Sequence, residues 1–189
     1  MRYVEAPNAL PKIDDSDVIV FLAGGISNCP DWQSEAVALL EQSGIADRLV
    51  LVNPRRKEYI EGLTAASEQI VWEHFMLRAS HIILFWFPCE TVCPITLYEL
   101  GAWSTTDKPI VIGTHPNYSR RFDVVTQTSL VRPKLSIYSD LRDVVYGTVF
   151  EVNLHLDRIK CADCGGPKSL HADEGYQDVC SSFKLLVEQ

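Results

Sequence analysis

Five stretches of the chain alternate between continuous apolar runs and amphipathic segments. Asp17 to Ala23 (DVIVFLA) is apolar throughout and ends at Gly24-Gly25, the pattern of a strand covered on both faces of a parallel sheet. Asp31 then stands where a helix cap belongs, with Ala36, Leu39 and Leu40 at helical spacing and Gly44 to close the helix. Arg48 to Val52 reads as a second strand, stopped by Asn53-Pro54. Residues Thr64 to Ala79 set Ile70, Phe75, Met76 and Leu77 among polar positions, as a helix would. His81 to Phe87 (HIILFWF) is the most apolar strand and halts at Pro88, and Pro94 suits the first turn of a helix running to about Thr105. Pro109 to Gly113 and Lys134 to Tyr138 give a fourth and a fifth strand, and Asp140 to Asp157 a last helix.

Strand and helix thus alternate about five times, which calls for an α/β fold with a parallel sheet and right-handed crossovers. The expected architecture is a doubly wound five-stranded sheet of order 2-1-3-4-5, spanning residues 1–159. The opening residues, Met1 to Lys12, carry two prolines and no periodicity, and read as a lead-in arm. From residue 160 the composition shifts to Cys, Gly, Asp and His, so 160–189 reads as an appendage.

Composition narrows the function classes. The apolar share of 47% and charged share of 22% are those of a globular protein. No apolar run approaches the roughly 20 residues that span a bilayer, and the start lacks the pattern of a secretory signal, so a cytoplasmic location is the expectation. A net charge of −8 argues against a nucleic-acid polymer as partner. The short basic clusters, Arg55-Arg56-Lys57 and Arg120-Arg121, suit one small anion better than a duplex.

In an open α/β sheet, ligands bind beyond the carboxyl ends of the strands where strand order reverses. Here that crevice falls between the first and third strands. Gly24 and Gly25 lie there, and they either let backbone N–H groups approach a ligand or turn the chain. Their spacing matches neither a dinucleotide fingerprint nor a P-loop. Asn53, Arg55 and Arg56 follow the second strand. Glu99, beside Tyr98, sits among Pro94, Ile95, Leu97, Leu100, Ala102 and Trp103, where a carboxylate needs partners to be buried. Glu73 is a second carboxylate, about two helical turns before the third strand. Each is read either as a solvated helix-face residue or as part of a site.

Phe21-Leu22-Ala23-Gly24, Asn53-Pro54-Arg55-Arg56, Gln69 to His74, Phe85-Trp86-Phe87-Pro88 and Cys93-Pro94-Ile95-Thr96-Leu97-Tyr98-Glu99-Leu100-Gly101 stand in a familiar order. Together they resemble the nucleoside 2-deoxyribosyltransferase superfamily, in particular its bacterial and phage "2-deoxyribosyltransferase-like" branch, over about Val18 to Asp123. The resemblance implies a flavodoxin-like fold and double displacement at an N-glycosidic bond of a nucleoside or nucleotide. It assigns Glu99 as the nucleophile and Glu73, in place of the family's aspartate, as acid or base-binding partner. Gly24, Gly25, Asn53, Arg55, Arg56 and Tyr98 would shape the pocket. A neighbouring subunit would complete each site from the position of Asp123, implying a homo-oligomer. Asp123 and its flanking arginines otherwise read as a solvated loop.

One departure stands out: the family pattern has an aspartate six residues before the nucleophile, where this chain has Cys93. The nearest acid is Glu90. Two alternatives therefore accompany the glycosidic reading. The arginines suit hydrolysis of a nucleoside 5′-monophosphate, and the missing aspartate suits a nucleotide-binding module without catalysis. Catalysis calls for no cofactor. Cys161 and Cys164, with His171 and Cys180, have the makings of a structural Cys₃His zinc site, or of a reduced tail without metal.

Overall fold

The computed structural model describes residues 1–14, 16–57 and 62–159. Six strands form one parallel sheet: β1 (Arg2–Glu5), β2 (Val18–Gly24), β3 (Leu49–Asn53), β4 (Ile82–Phe87), β5 (Ile110–Thr114) and β6 (Ile137–Tyr138). Their order is β1-β3-β2-β4-β5-β6. The expected five-strand order is contained in it, but the sheet has a sixth strand at its edge. The arm expected at the N-terminus is that strand, pairing Arg2 with Val50 through Glu5 with Asn53. Only Val4 of its four residues is buried, so the segment lacks the apolar run that marks β2 or β4. Arg2 anchors it by an ion pair with the buried Asp17.

Among the described residues, five α-helices cover the sheet: α1 (Trp32–Glu41), α2 (Leu63–Ala79), α3 (Pro94–Ser104), α4 (Arg121–Val131) and α5 (Leu141–Ile159). Alternate strand residues face opposite sides. Val18, Val20, Leu22, Ile82, Leu84 and Trp86 meet α1 and α5 through Trp32, Ala36, Leu40, Val144 and Val152. Ile19, Phe21, Ile83, Phe85 and Phe87 meet the opposite layer through Trp72, Met76, Leu77, Leu100 and Val124. The continuous apolar runs in β2 and β4 follow from this double cover.

Several local expectations change. Asp31 does cap α1, accepting from the Ser34 N–H at 3.2 Å, but the helix ends at Glu41 with Gln42 as its C-cap, short of Gly44. On α2 the buried residues are Trp72, Met76 and Leu77, while Ile70 and Phe75 face outward. The fifth strand shrinks to Ile137 and Tyr138. The stretch read as a loop before it turns into α4 at Arg121. That helix was hidden because it buries only Val124 and Thr128, one turn apart, and leaves Phe122 and Leu130 outside.

Candidate active site

β2 continues through α1 to β3 on one side, and β4 continues through α3 to β5 on the other. The carboxyl ends of β2 and β4 therefore part at the switch point, and a cavity of about 310 Å³ opens there. Gly24, Gly25, Ile26 and Ser27 come from the end of β2, Thr91 and Cys93 from the loop after β4, and Ile95, Thr96 and Glu99 from α3. α2 contributes Glu73. A wider cavity of about 790 Å³ adjoins it, lined by Tyr3, Asn53, Arg55, Arg56 and Gln69 among others. The two share Ile26, Ser27, Pro54, Glu73 and Ile95, so they form one crevice with Glu73 at the junction.

Glu99 reaches the cavity because α3 starts at Pro94, whose fixed φ suits a first helical turn. Ile95 and Thr96 then stand four and three residues before Glu99, so each neighbours it on the helix surface. Tyr98 is 78% exposed and lines neither cavity of its own chain.

Burial, and after it the charge of Glu73, push the Glu99 carboxyl up to about 8. Burial also raises Glu73, against the hydrogen bond from Gln69 and the charge of Arg56, which both lower it. The charge of Glu73 raises Glu99, so the two carboxyls titrate as a coupled pair.

Gly24 is glycine for packing. A Cβ there would sit 2.4 Å from both Trp32 Cζ2 and the Trp86 carbonyl oxygen. At Gly25 it would meet Cys29 Sγ and Thr91 Cγ2 at 2.9 Å and Cys93 Sγ at 3.1 Å. Neither glycine has the positive φ that a glycine-only turn requires. The Gly25 carbonyl accepts from Trp32 Nε1 at 2.9 Å, and from Gln33 Nε2 and Arg55 Nη2 at 3.2 Å each. Close packing and three donors thus fix the loop after β2.

Arg55 and Arg56 border the crevice, but protein acceptors engage them both. Arg55 also donates to Gln33 Oε1 and the Pro30 carbonyl, each at 2.9 Å, and lies 3.5 Å from Asp31. Arg56 binds Gln69 Oε1 at 2.5 Å and Glu68 Oε2 at 3.1 Å. Asn53 folds the chain after β3: its Oδ1 accepts the Arg55 N–H at 2.9 Å, and its Nδ2 donates to Tyr3 Oη at 2.5 Å. Asp123 is half-exposed, pairs with Arg120 at 3.0 Å, and lines neither cavity of its own chain.

Cys93 is buried at the cavity wall, in left-handed backbone (φ 50°, ψ 54°), just before Pro94. Burial pushes its thiol up to about 12. Glu90 is exposed and lines neither cavity. Sequence reasoning missed two residues that hold the site. Tyr118 donates to the Val92 carbonyl at 2.6 Å and stacks on Phe87 at 5.2 Å, which steadies the loop before α3. Gln69 binds Glu73 Oε1 at 2.7 Å, and its i, i+4 spacing was the one available signal. Cys161, Cys164, His171 and Cys180 lie outside the described residues. Among those described, no group of three or more side chains is arranged to hold a metal, and no helix is long and apolar enough to cross a membrane.

No curated protein matches the chain. The sequence model of a family described as nucleoside 2-deoxyribosyltransferase like matches residues 17–118, from the start of β2 to the turn after β5. That span covers more than half of the chain and includes Glu73 and Glu99, and the chain accordingly belongs to the nucleoside 2-deoxyribosyltransferase-like family.

Proposed function

We propose that the protein cleaves the N-glycosidic bond of a nucleoside, with Glu99 as nucleophile and Glu73 as the acid that serves the departing base. The observation that carries this reading is the pair of half-buried carboxyls, Glu99 and Glu73, that line one switch-point cavity and are both raised by burial. Glu99 holds its proton up to about pH 8, so the reactive arrangement is the one in which Glu99 has given up its proton and Glu73 carries one. A Glu99 carboxylate oxygen attacks C1′ through an oxocarbenium-like transition state, and the C1′–N electron pair leaves with the base. Glu73 gives that base its proton. A nitrogen of a second base, or water, then attacks C1′, gives its proton to the Glu73 carboxylate and frees Glu99 as carboxylate.

The sugar would lie in the smaller chamber and the base toward the wider one, since Glu73 stands between them. The engagement of Arg55 and Arg56 by Gln33, Gln69, Glu68 and backbone carbonyls favours a nucleoside over its 5′-monophosphate. The protein acts as a homo-oligomer on this reading. Ile70 and Ile95 of the crevice lining are exposed, as are Phe75 on α2 and Tyr98 on α3, and a second copy would cover them. Closing that rim excludes water from the glycosyl-enzyme. Sedimentation velocity reads the assembly directly, and a monomer at micromolar concentration would refute that part.

The test of the function is chromatographic release of free base from a panel of nucleosides and their 5′-monophosphates, with and without a second base, using Glu99→Ala as control. Release that depends on Glu99 supports the reading, and dependence on the acceptor separates transfer from hydrolysis. Tight nucleotide binding with no release from any substrate refutes it.

A further inference from the structure

A short polar chain runs from the end of β3 into α2 and stops at Glu73. Arg56 Nε donates to Gln69 Oε1 at 2.5 Å. Gln69 Nε2 donates to Glu73 Oε1 at 2.7 Å and to the Pro54 carbonyl at 2.8 Å. Gln69 and Glu73 are four residues apart on α2, so their side chains meet on one face. The partners fix which way the amide lies. A guanidinium has donors only, so it requires the amide oxygen. The amide NH₂ is then committed to two acceptors. Turned over, the same amide would set oxygen against a carbonyl and a carboxyl, and its NH₂ against a guanidinium.

The consequence falls on Glu73. Its Oε1 is already an acceptor, which leaves Oε2 as the oxygen available to the cavity that Glu73 lines. A carboxylic acid accepts best at its carbonyl oxygen, so the acid form keeps Oε1 as carbonyl and carries its proton on Oε2. We infer that Gln69, held by Arg56, is a positioning residue that makes Glu73 present its proton-bearing Oε2 to the base nitrogen leaving C1′.

The inference rests on the glycosidic reading of the crevice. In the step concerned, the O–H bond at Glu73 Oε2 breaks as the C1′–N electron pair moves onto the base nitrogen, which takes the proton. The new carboxylate keeps its bond from Gln69, and that bond strengthens because its acceptor is now charged. Gln69 therefore favours the state that Glu73 reaches after donating. Its hydrogen bond also lowers the Glu73 pKa against the effect of burial, so losing the amide leaves the proton held more firmly.

The experiment compares wild type, Gln69→Met, Glu73→Gln and the double variant in a base-release assay over about pH 5 to about 9. Methionine keeps length and flexibility at position 69 but has no N–H donor. In the wild-type background we expect kcat to fall about tenfold with KM little changed. We also expect the limb of the profile governed by Glu73 to move to higher pH. In the Glu73→Gln background the same substitution should change kcat by less than about twofold, because its effect passes through the carboxyl. Carbon-13 titration of glutamate-labelled protein reads Glu73 without substrate, and its midpoint should rise in Gln69→Met. If Gln69→Met does not fold, Arg56→Lys replaces it, with a smaller shift in the same direction. Equal losses in both backgrounds, or an unmoved Glu73 midpoint, overturn the inference while wild-type base release leaves the glycosidic reading standing. A wild-type protein that releases no base sinks both.

Discussion

Glu99→Gln keeps the size of the side chain in the crevice and removes its ability to ionise. An ordinary glutamate titrates near 4.5, and the folded protein pushes Glu99 up to about 8. Between those values the native state holds a proton that the unfolded chain has released. The stability tied to this group is therefore complete below about pH 4.5, drains as pH rises, and levels off above about 8. At 1.36 kcal/mol for each pH unit the gap corresponds to roughly 5 kcal/mol. Glu99 lines an open cavity that water enters, and water screens much of that penalty, so we expect about 2 kcal/mol. For a chain of this length that is a difference of about 4–8 °C in melting temperature. The assay is urea or thermal unfolding of wild type and Glu99→Gln at about pH 5 and about pH 8.5. The two proteins should differ little at the acid end. At the alkaline end the variant should be the more stable, while base release falls at least about a thousandfold. A stability difference that is the same at both pH values would show Glu99 to be solvated, and the crevice reading would lose its electrostatic basis.

Three further outcomes follow from contacts elsewhere. Gly24→Ala forces a methyl against Trp32 and the Trp86 carbonyl and should cost about 3 kcal/mol in urea unfolding; a loss under about 1 kcal/mol would contradict the packing described. Arg55→Ala frees the Gly25 and Pro30 carbonyls and Gln33 Oε1, costing about 2 kcal/mol. It should lower kcat/KM equally for a nucleoside and its 5′-monophosphate, and a selective loss on the monophosphate would instead make Arg55 a phosphate ligand. His81 accepts the Ile19 N–H at Nδ1 and stacks on His155 at 4.6 Å, and burial, then His155 and Lys108, lower its pKa against the charge of Asp17. Its contribution to stability is present above pH 6.5 and is lost as pH falls toward the lowered value, so His81→Asn should flatten the decline on the acid side. Parallel declines in the two proteins would refute this.

What the sequence discloses tracks how far each feature depends on neighbours in the chain. β2 and β4 are legible because both of their faces are buried, which leaves an uninterrupted apolar run. β1 is not, since its identity lies in pairing with β3, far along the chain, and three of its four side chains stay at least partly exposed. α4 is concealed by its half-exposed, β-branched surface. Glu99 and Glu73 are found through an ordered set of motifs, because helical periodicity alone does not separate them from surface glutamates. Tyr98 illustrates the limit: it adjoins Glu99 in the sequence but lines neither cavity of its own chain. The protein acceptors of Arg55 and Arg56 are not legible, because Gln33 and Gln69 come from two different helices. Nothing in the composition of either segment indicates those pairings.

The left-handed backbone at Cys93 bears on how this family branch could change over time. Among side-chain-bearing residues, asparagine and aspartate tolerate that conformation best. The position where the family pattern has aspartate thus keeps a backbone that suits aspartate, with a buried thiol in its place. Restoring the acid by mutation would meet no obstacle from the main chain. The obstacle is the surroundings, where a new charge would enter a wall shared with Cys29 and Thr91 and join two carboxyls that already repel each other. The route to an aspartate at this position is therefore closed by solvation and charge while it stays open in shape. A lineage taking it would first need changes around residue 93, with the residue itself changing last.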